Sequence, residues 1–166
     1  IEEVCRALDV PVLLKTVGHG LSWRSATRVA GLPIAALEVS GAGGTSWSRV
    51  EALRRGGGED LELFGEWGES TAESLRTARA SLPQLPLIAS GGVYDGVDAA
   101  KVLALGADLA GCARPLLQAA EAGGAEAVEE RLRAMARQLR LACFYAGRPA
   151  ARALRPEDLA ETDPGA

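Results

Sequence analysis

The sequence predicts an α/β fold built on a parallel sheet covered by helices. Three observations carry this. Four short apolar runs, Pro11–Val17, Leu32–Val39, Leu85–Ala89 and Leu109–Ala113, are nearly continuous, as expected of parallel strands buried on both faces. No two runs are joined by a short turn, so hairpins are not expected and each connection is a helical crossover. Every unusual polar or glycine-rich cluster follows the C-terminal end of a run, where parallel sheets place their sites.

The elements follow in order. The chain opens on Ile1, and IEEVCRALDVPVLLK reads as the end of a helix running into the first strand. Such an opening in mid-unit is expected of a piece of a larger protein, with a processed N-terminus as the alternative. Gly18-His19-Gly20 breaks the first strand, and Ser22 caps a helix over Trp23–Ala30. The second strand ends in Ser40-Gly41-Ala42-Gly43-Gly44-Thr45, and a polar segment containing Gly56-Gly57-Gly58 follows. Ser70 or Thr71 then caps a helix through Leu82. The third strand stops at Ser90-Gly91-Gly92, and a helix over Val97–Leu105 ends with Gly106 in the C′ position. The fourth strand ends at Arg114-Pro115. In the last long helix Val128, Leu132, Met135, Leu139 and Ala142 form one apolar stripe, with Arg131, Arg133, Arg137 and Arg140 mostly on a solvated side. An Ala/Arg/Pro-rich tail begins at Arg148 and is expected to be poorly ordered beyond a last short turn near Pro156–Ala160. The expected division is residues 1–147 as the α/β unit and residues 148–166 as a C-terminal tail.

Composition limits the function classes. A chain of 166 residues, 48% hydrophobic and 24% charged, forms one domain with a sizeable core. A net charge of −4 gives no reason to expect nucleic acid or an anionic membrane as partner. Cys5, Cys112 and Cys143 are widely spaced and odd in number, which suits reduced thiols better than a disulfide frame or a zinc site. No apolar run reaches the ~18 residues of a membrane span, and no signal peptide opens the chain. A soluble, cytoplasmic protein is expected.

Periodicity does not separate a doubly wound sheet from half of a (β/α)8 barrel; loop chemistry does. The barrel often binds phosphate through the loops after strands seven and eight, using backbone N–H groups and a helix N-terminus. Here Ser90-Gly91-Gly92 follows the third strand and Ala113-Arg114 the fourth. Reading the units as five to eight, the C-terminal half of a barrel, puts both loops in the phosphate-binding positions. Lys15 and Lys101 are the only lysines. Lys15 lies within an apolar strand, either snorkelling to water or lining the mouth as a cation facing an electron-rich ligand atom; Lys101 is ordinary helix surface. His19, the only histidine, lacks the partners that a triad or a metal site needs. Trp47 and Trp67 are loop aromatics that serve as substrate walls or as packing. No carboxylate pair has a spacing that points to general acid–base work.

Four stretches are more specific: PVLLKTVGHGLS, LEVSGAGGTSWSRVEALR, EWGESTAESL and PLIASGGVYDGVDAAKVLALGADLAGCARPLL. In order and spacing, over roughly residues 10–147, they resemble type 2 isopentenyl diphosphate isomerases, which are FMN-binding (β/α)8 barrels. The resemblance implies that Lys15 faces the pyrimidine edge of FMN. It implies that Ser40 and Thr45 contact the ribityl or phosphate side. It implies that Gly91, Gly92 and Val93, with Ala113 and Arg114, cradle the phosphate. Trp47 and His19 would lie on the substrate side. The family interconverts isopentenyl and dimethylallyl diphosphate on reduced FMN, with Mg2+ on the diphosphate and NADPH as reductant. Its metal, substrate and diphosphate ligands lie largely in the first half of the barrel, so no metal site is expected in this chain. A homo-oligomer is expected. One departure stands out: the usual WGIPTA reads WGESTA, with Glu69 and Ser70 in place of Ile and Pro, which puts the helix entry there in question. The alternatives are another FMN-dependent oxidoreductase of the α-hydroxy acid oxidase or glutamate synthase kind, and a non-catalytic phosphate-binding half-barrel. The oxidases carry a His and an Arg where this chain has Ser-Gly-Ala-Gly-Gly-Thr.

Overall fold

The computed structural model describes residues 1–160. A short helix α1 (Glu2–Ala7) leads into β1 (Leu13–Lys15), and four strand–helix units follow from there. They comprise α2 (Trp23–Val29), β2 (Ala36–Ser40), α3 (Trp47–Arg54), α4 (Glu59–Glu62), α5 (Thr71–Ser81), β3 (Leu87–Ser90), α6 (Gly96–Ala104), β4 (Leu109–Ala110) and α7 (Arg114–Tyr145). All strand pairs are parallel, and the strands lie in the order β1-β2-β3-β4. A sequential order without reversal is that of consecutive barrel units; a doubly wound sheet would change direction at a switch point.

The strands are shorter than the apolar runs. Pairing does continue past their ends: Thr16 N–H donates to Glu38 O at 3.0 Å, and Gly111 N–H to Ala89 O at 2.8 Å. One face of the sheet, with Leu37, Val39, Leu87 and Ala89, is fully buried against Ala26, Leu75, Ala78 and Val102 of the helices. The other face carries Leu13, Lys15, Glu38, Ile88 and Leu109, and there Leu13 is 52% and Leu109 61% exposed. The expectation of strands buried on both faces is therefore corrected: among the described residues the second face is left open at Leu13 and Leu109.

Local chemistry explains the helix ends. Ser22 caps α2 by accepting Ser25 N–H, and Asp95 caps α6 by accepting Val97 and Asp98 N–H. At WGESTA, Ser70 accepts Glu73 N–H while Glu73 accepts Ser70 N–H, a complete capping box for α5. Serine in place of proline thus starts this helix. Gly106, at φ 106°, occupies the position after α6 where a side chain would be strained.

The last helix departs from expectation twice. It begins at Arg114, well before the apolar stripe, and it breaks at Gly123–Gly124, where the backbone leaves helical geometry. Arg131 is also not on a solvated side: it donates to Tyr94 O at 2.7 Å, and its Nε is buried without a partner among the described residues. The cause is the close seating of α6 on α7, where Gly96 meets the backbone of Met135 and its N–H donates to Gln138 Oε1 at 2.9 Å. Residues after Arg148 form two 3-10 turns, Ala151–Ala153 and Pro156–Asp158. Leu154 is buried against Ala100, Ala104 and Cys143, and Arg148 pairs with Asp158 at 2.9 Å. The end of the tail, residues 161–166, lies outside the described residues.

Candidate functional site

The strand ends and the loops behind them enclose a groove of about 570 Å³. From β1, β2, the loop after β2 and the start of α3 it is lined by Lys15, Ser40, Thr45 and Trp47. From the loops after β3 and β4 it is lined by Gly91, Gly92, Val93, Ala113 and Arg114. Every residue expected to touch a cofactor meets there, and so does Trp47. His19 does not. Its Nδ1 lies 2.8 Å from Trp67 O, and its carbonyl accepts Glu69 N–H at 3.1 Å, so it holds the loop before α5.

Ser40 is anchored through its backbone. Its N–H donates to Thr16 Oγ1 at 2.6 Å, and its carbonyl accepts Thr16 Oγ1 and the N–H groups of Gly18 and Gly20 at 3.0–3.1 Å. The residue itself lines the groove. Thr71 Oγ1, from the first turn of α5, donates to Gly91 O at 2.6 Å and so fixes the third loop from behind.

Gly91 and Gly92 both have positive φ, 85° and 78°, a conformation that costs other residues. A Cβ on Gly91 would stand 2.5 Å from Gly41 O, and one on Gly92 3.1 Å from Gly43 O. Part of the demand for glycine thus comes from the neighbouring loop, beyond any ligand. Behind these loops Arg114 opens α7, whose N-cap Ala113 supplies no side-chain hydrogen bond. An uncapped helix start beside two positive-φ glycines and a guanidinium has the donor chemistry of an anion cradle. The residues present therefore fit a phosphate-bearing cofactor such as FMN.

Three lining residues escaped the sequence reading. Glu38 accepts Lys15 Nζ at 2.5 Å and the hydroxyl of Ser90. Tyr94 bridges Gly43 O and Arg114 through its hydroxyl, at 3.3 and 3.4 Å. Cys112 has its thiol pKa pushed up by burial, against the opposing charge of Arg131. A carboxylate within an apolar run, like the lysine within its neighbour, was the available signal for Glu38. Trp67 lies outside the groove, stacked at a tilt on Phe64 with ring centroids 5.7 Å apart. Among the described residues no three His, Cys, Asp or Glu side chains converge on a possible metal position, and no helix is long and apolar enough to cross a membrane.

The chain is 48% identical over 166 residues to an isopentenyl-diphosphate delta-isomerase of Xanthobacter autotrophicus, an alignment covering 98% of this chain and 48% of that protein. With the isomerase of a Synechococcus strain it is 54% identical over 128 residues, 73% of this chain and 36% of that one. The chain thus spans about half the length, or less, of the curated relatives it matches. A soluble mutant of the membrane-associated (S)-mandelate dehydrogenase from Pseudomonas putida superimposes with a TM-score of 0.75 at 21% identity, over 97% of this chain and 40% of that one. That likeness shows the fold, a part of an α/β barrel. With residues 1–161 matching the family of FMN-dependent dehydrogenases, this chain belongs to that family, as part of a (β/α)8 barrel with its parallel strands.

Proposed function

We propose that the groove holds FMN and that the whole protein interconverts isopentenyl and dimethylallyl diphosphate. The observation that carries this reading is the meeting of Lys15, Ser40, Thr45, the Gly91–Val93 turn and Ala113-Arg114 on one groove, in a chain about half identical to isomerases.

The amides of Gly91, Gly92 and Val93, with Ala113 and Arg114 at the start of α7, would hold the phosphate. Ser40 and Thr45 would contact the ribityl side, and Lys15 would present positive charge to the pyrimidine edge. Reduced FMN, when bound, supplies the acid–base chemistry of a 1,3-allylic proton shift. Trp47, at the outer rim, would wall the substrate side and keep water from it. The reading includes Mg2+ to neutralise the diphosphate and NADPH to keep the cofactor reduced. The reading assigns the Mg2+ ligands to the part of the relatives' length that this chain does not span. An oxidoreductase acting on 2-hydroxy acids fits less well, since the loop Gly41–Thr45 offers no imidazole or guanidinium.

Expression from the complete reading frame tests the proposal. The product should carry FMN and, once reduced without oxygen, form dimethylallyl diphosphate from isopentenyl diphosphate. Turnover of a 2-hydroxy acid with no isomerisation would sink the reading.

A further inference from the structure

Glu38 sits in mid-strand on β2, in register with Lys15 of β1 and Ile88 of β3. Its side chain is 13% exposed, whereas that of Lys15 is 60% exposed. The two carboxylate oxygens have separate duties. Oε2 lies 2.5 Å from Lys15 Nζ, and Oε1 accepts the Ser90 hydroxyl. Glu38 is therefore held on both sides, and Lys15 is held by Glu38 alone among the described residues.

Stability does not account for this arrangement. A mostly buried carboxylate is costly to desolvate, and an ion pair with one exposed partner returns little. An apolar side chain would serve the sheet better, as Ile88 does beside it. What the carboxylate does provide is confinement. The lysine stem has many rotamers, and an unheld ammonium would spread them toward open solvent.

We propose that Glu38 is a positioning residue: with Ser90 holding Glu38 and Glu38 holding Lys15, a three-residue chain fixes the ammonium on the floor of the groove, where it meets the electron-rich edge of the bound flavin. This inference rests on the groove being the FMN site.

A double-mutant cycle on the protein expressed from its complete reading frame tests it. FMN affinity is read by fluorescence titration, alongside the visible spectrum of the bound flavin. Glu38→Ala should weaken FMN binding about ten-fold, the scale of one charge-assisted hydrogen bond, and should shift the spectrum in the same sense as Lys15→Met. In the Lys15→Met background, Glu38→Ala should change affinity less than about two-fold, because its partner is already gone. Glu38→Asp, which keeps the charge and folds with minimal change, should stay within about three-fold of the unaltered protein. An equal effect of Glu38→Ala with and without Lys15, or a lowered Tm with an unchanged flavin spectrum, would overturn the proposal and leave Glu38 a packing residue. If the unaltered protein binds no FMN, the reading of the groove fails and the inference falls with it.

Discussion

The guanidinium of Arg79 meets the carboxylate of Asp108 at 2.7 Å while also donating to the carbonyls of Gly106, Pro83 and Leu85. Arg79 thereby ties the end of α5 to the turn that launches β4. Asp108 completes the tie by accepting Leu87 N–H at 2.8 Å. Arg79→Ala should destabilise the protein by about 2 kcal/mol, as expected when several carbonyls lose a charged donor. Urea unfolding measures it.

The same pair predicts a pH effect. Burial pushes the Asp108 pKa up, but the Leu87 N–H and Arg79 together hold it below the ordinary aspartate value. A lowered pKa in the folded state gives stability that is present above the unfolded value, about 4, and is lost as pH falls through the folded one. Melting curves between neutral pH and roughly pH 3 should show this loss, and Asp108→Asn should flatten that part of the profile. An unchanged slope in Asp108→Asn would refute it.

Gly92→Ala should cost about 1–2 kcal/mol through its positive φ alone and should weaken FMN binding as well. Gly91→Ala should cost more, because its Cβ would stand 2.5 Å from Gly41 O. Far-UV circular dichroism should stay close to that of the unaltered protein for Gly92→Ala. A variant that binds FMN normally would place the phosphate elsewhere.

The two lysines should separate cleanly. Lys101 is paired with Asp98 on the outer face of α6 at 3.1 Å, with 58% of its side chain exposed, and its replacement by alanine should change stability by no more than ~0.5 kcal/mol. Lys15→Ala should cut FMN affinity sharply. Similar mild effects at both positions in parallel titrations would remove Lys15 from the site.

The 166-residue chain by itself should self-associate. Among the described residues β1 and β4 each pair on one side only, and Val17 and Leu109 on the open face are more than 60% exposed. Unpaired edges beside uncovered apolar residues favour association. Sedimentation velocity over a concentration series should show a rising mass; one constant monomer would contradict this.

Much of this was legible in the sequence. The caps at Ser22 and Ser70 and the C′ glycine at 106 rest on local backbone chemistry, which leaves marks in a few adjacent residues. The strand order was legible only through the chemistry of the loops. The groove was legible because Lys15, the glycine pairs and Ala113-Arg114 are unusual for where they stand. Glu38 stood out as a carboxylate within an apolar run, but its role comes from Lys15, twenty-three positions away in sequence and adjacent only once β1 and β2 pair. Helix α3 hid in a polar segment because it buries only Ala52. His19 misled for the converse reason: its partner is a backbone carbonyl, which no side-chain pattern records.

The break in α7 at Gly123–Gly124 divides one long helix into two levers. The front lever, up to Ala122, starts at Arg114 on the rim of the groove. The rear lever, from Ala125 onward, is clamped to α6 by way of Met135 and Gln138. Gly124 supplies the joint with a φ of 64°, which other residues adopt at a cost. A tilt of the rear lever is therefore taken up at the joint before it reaches the groove.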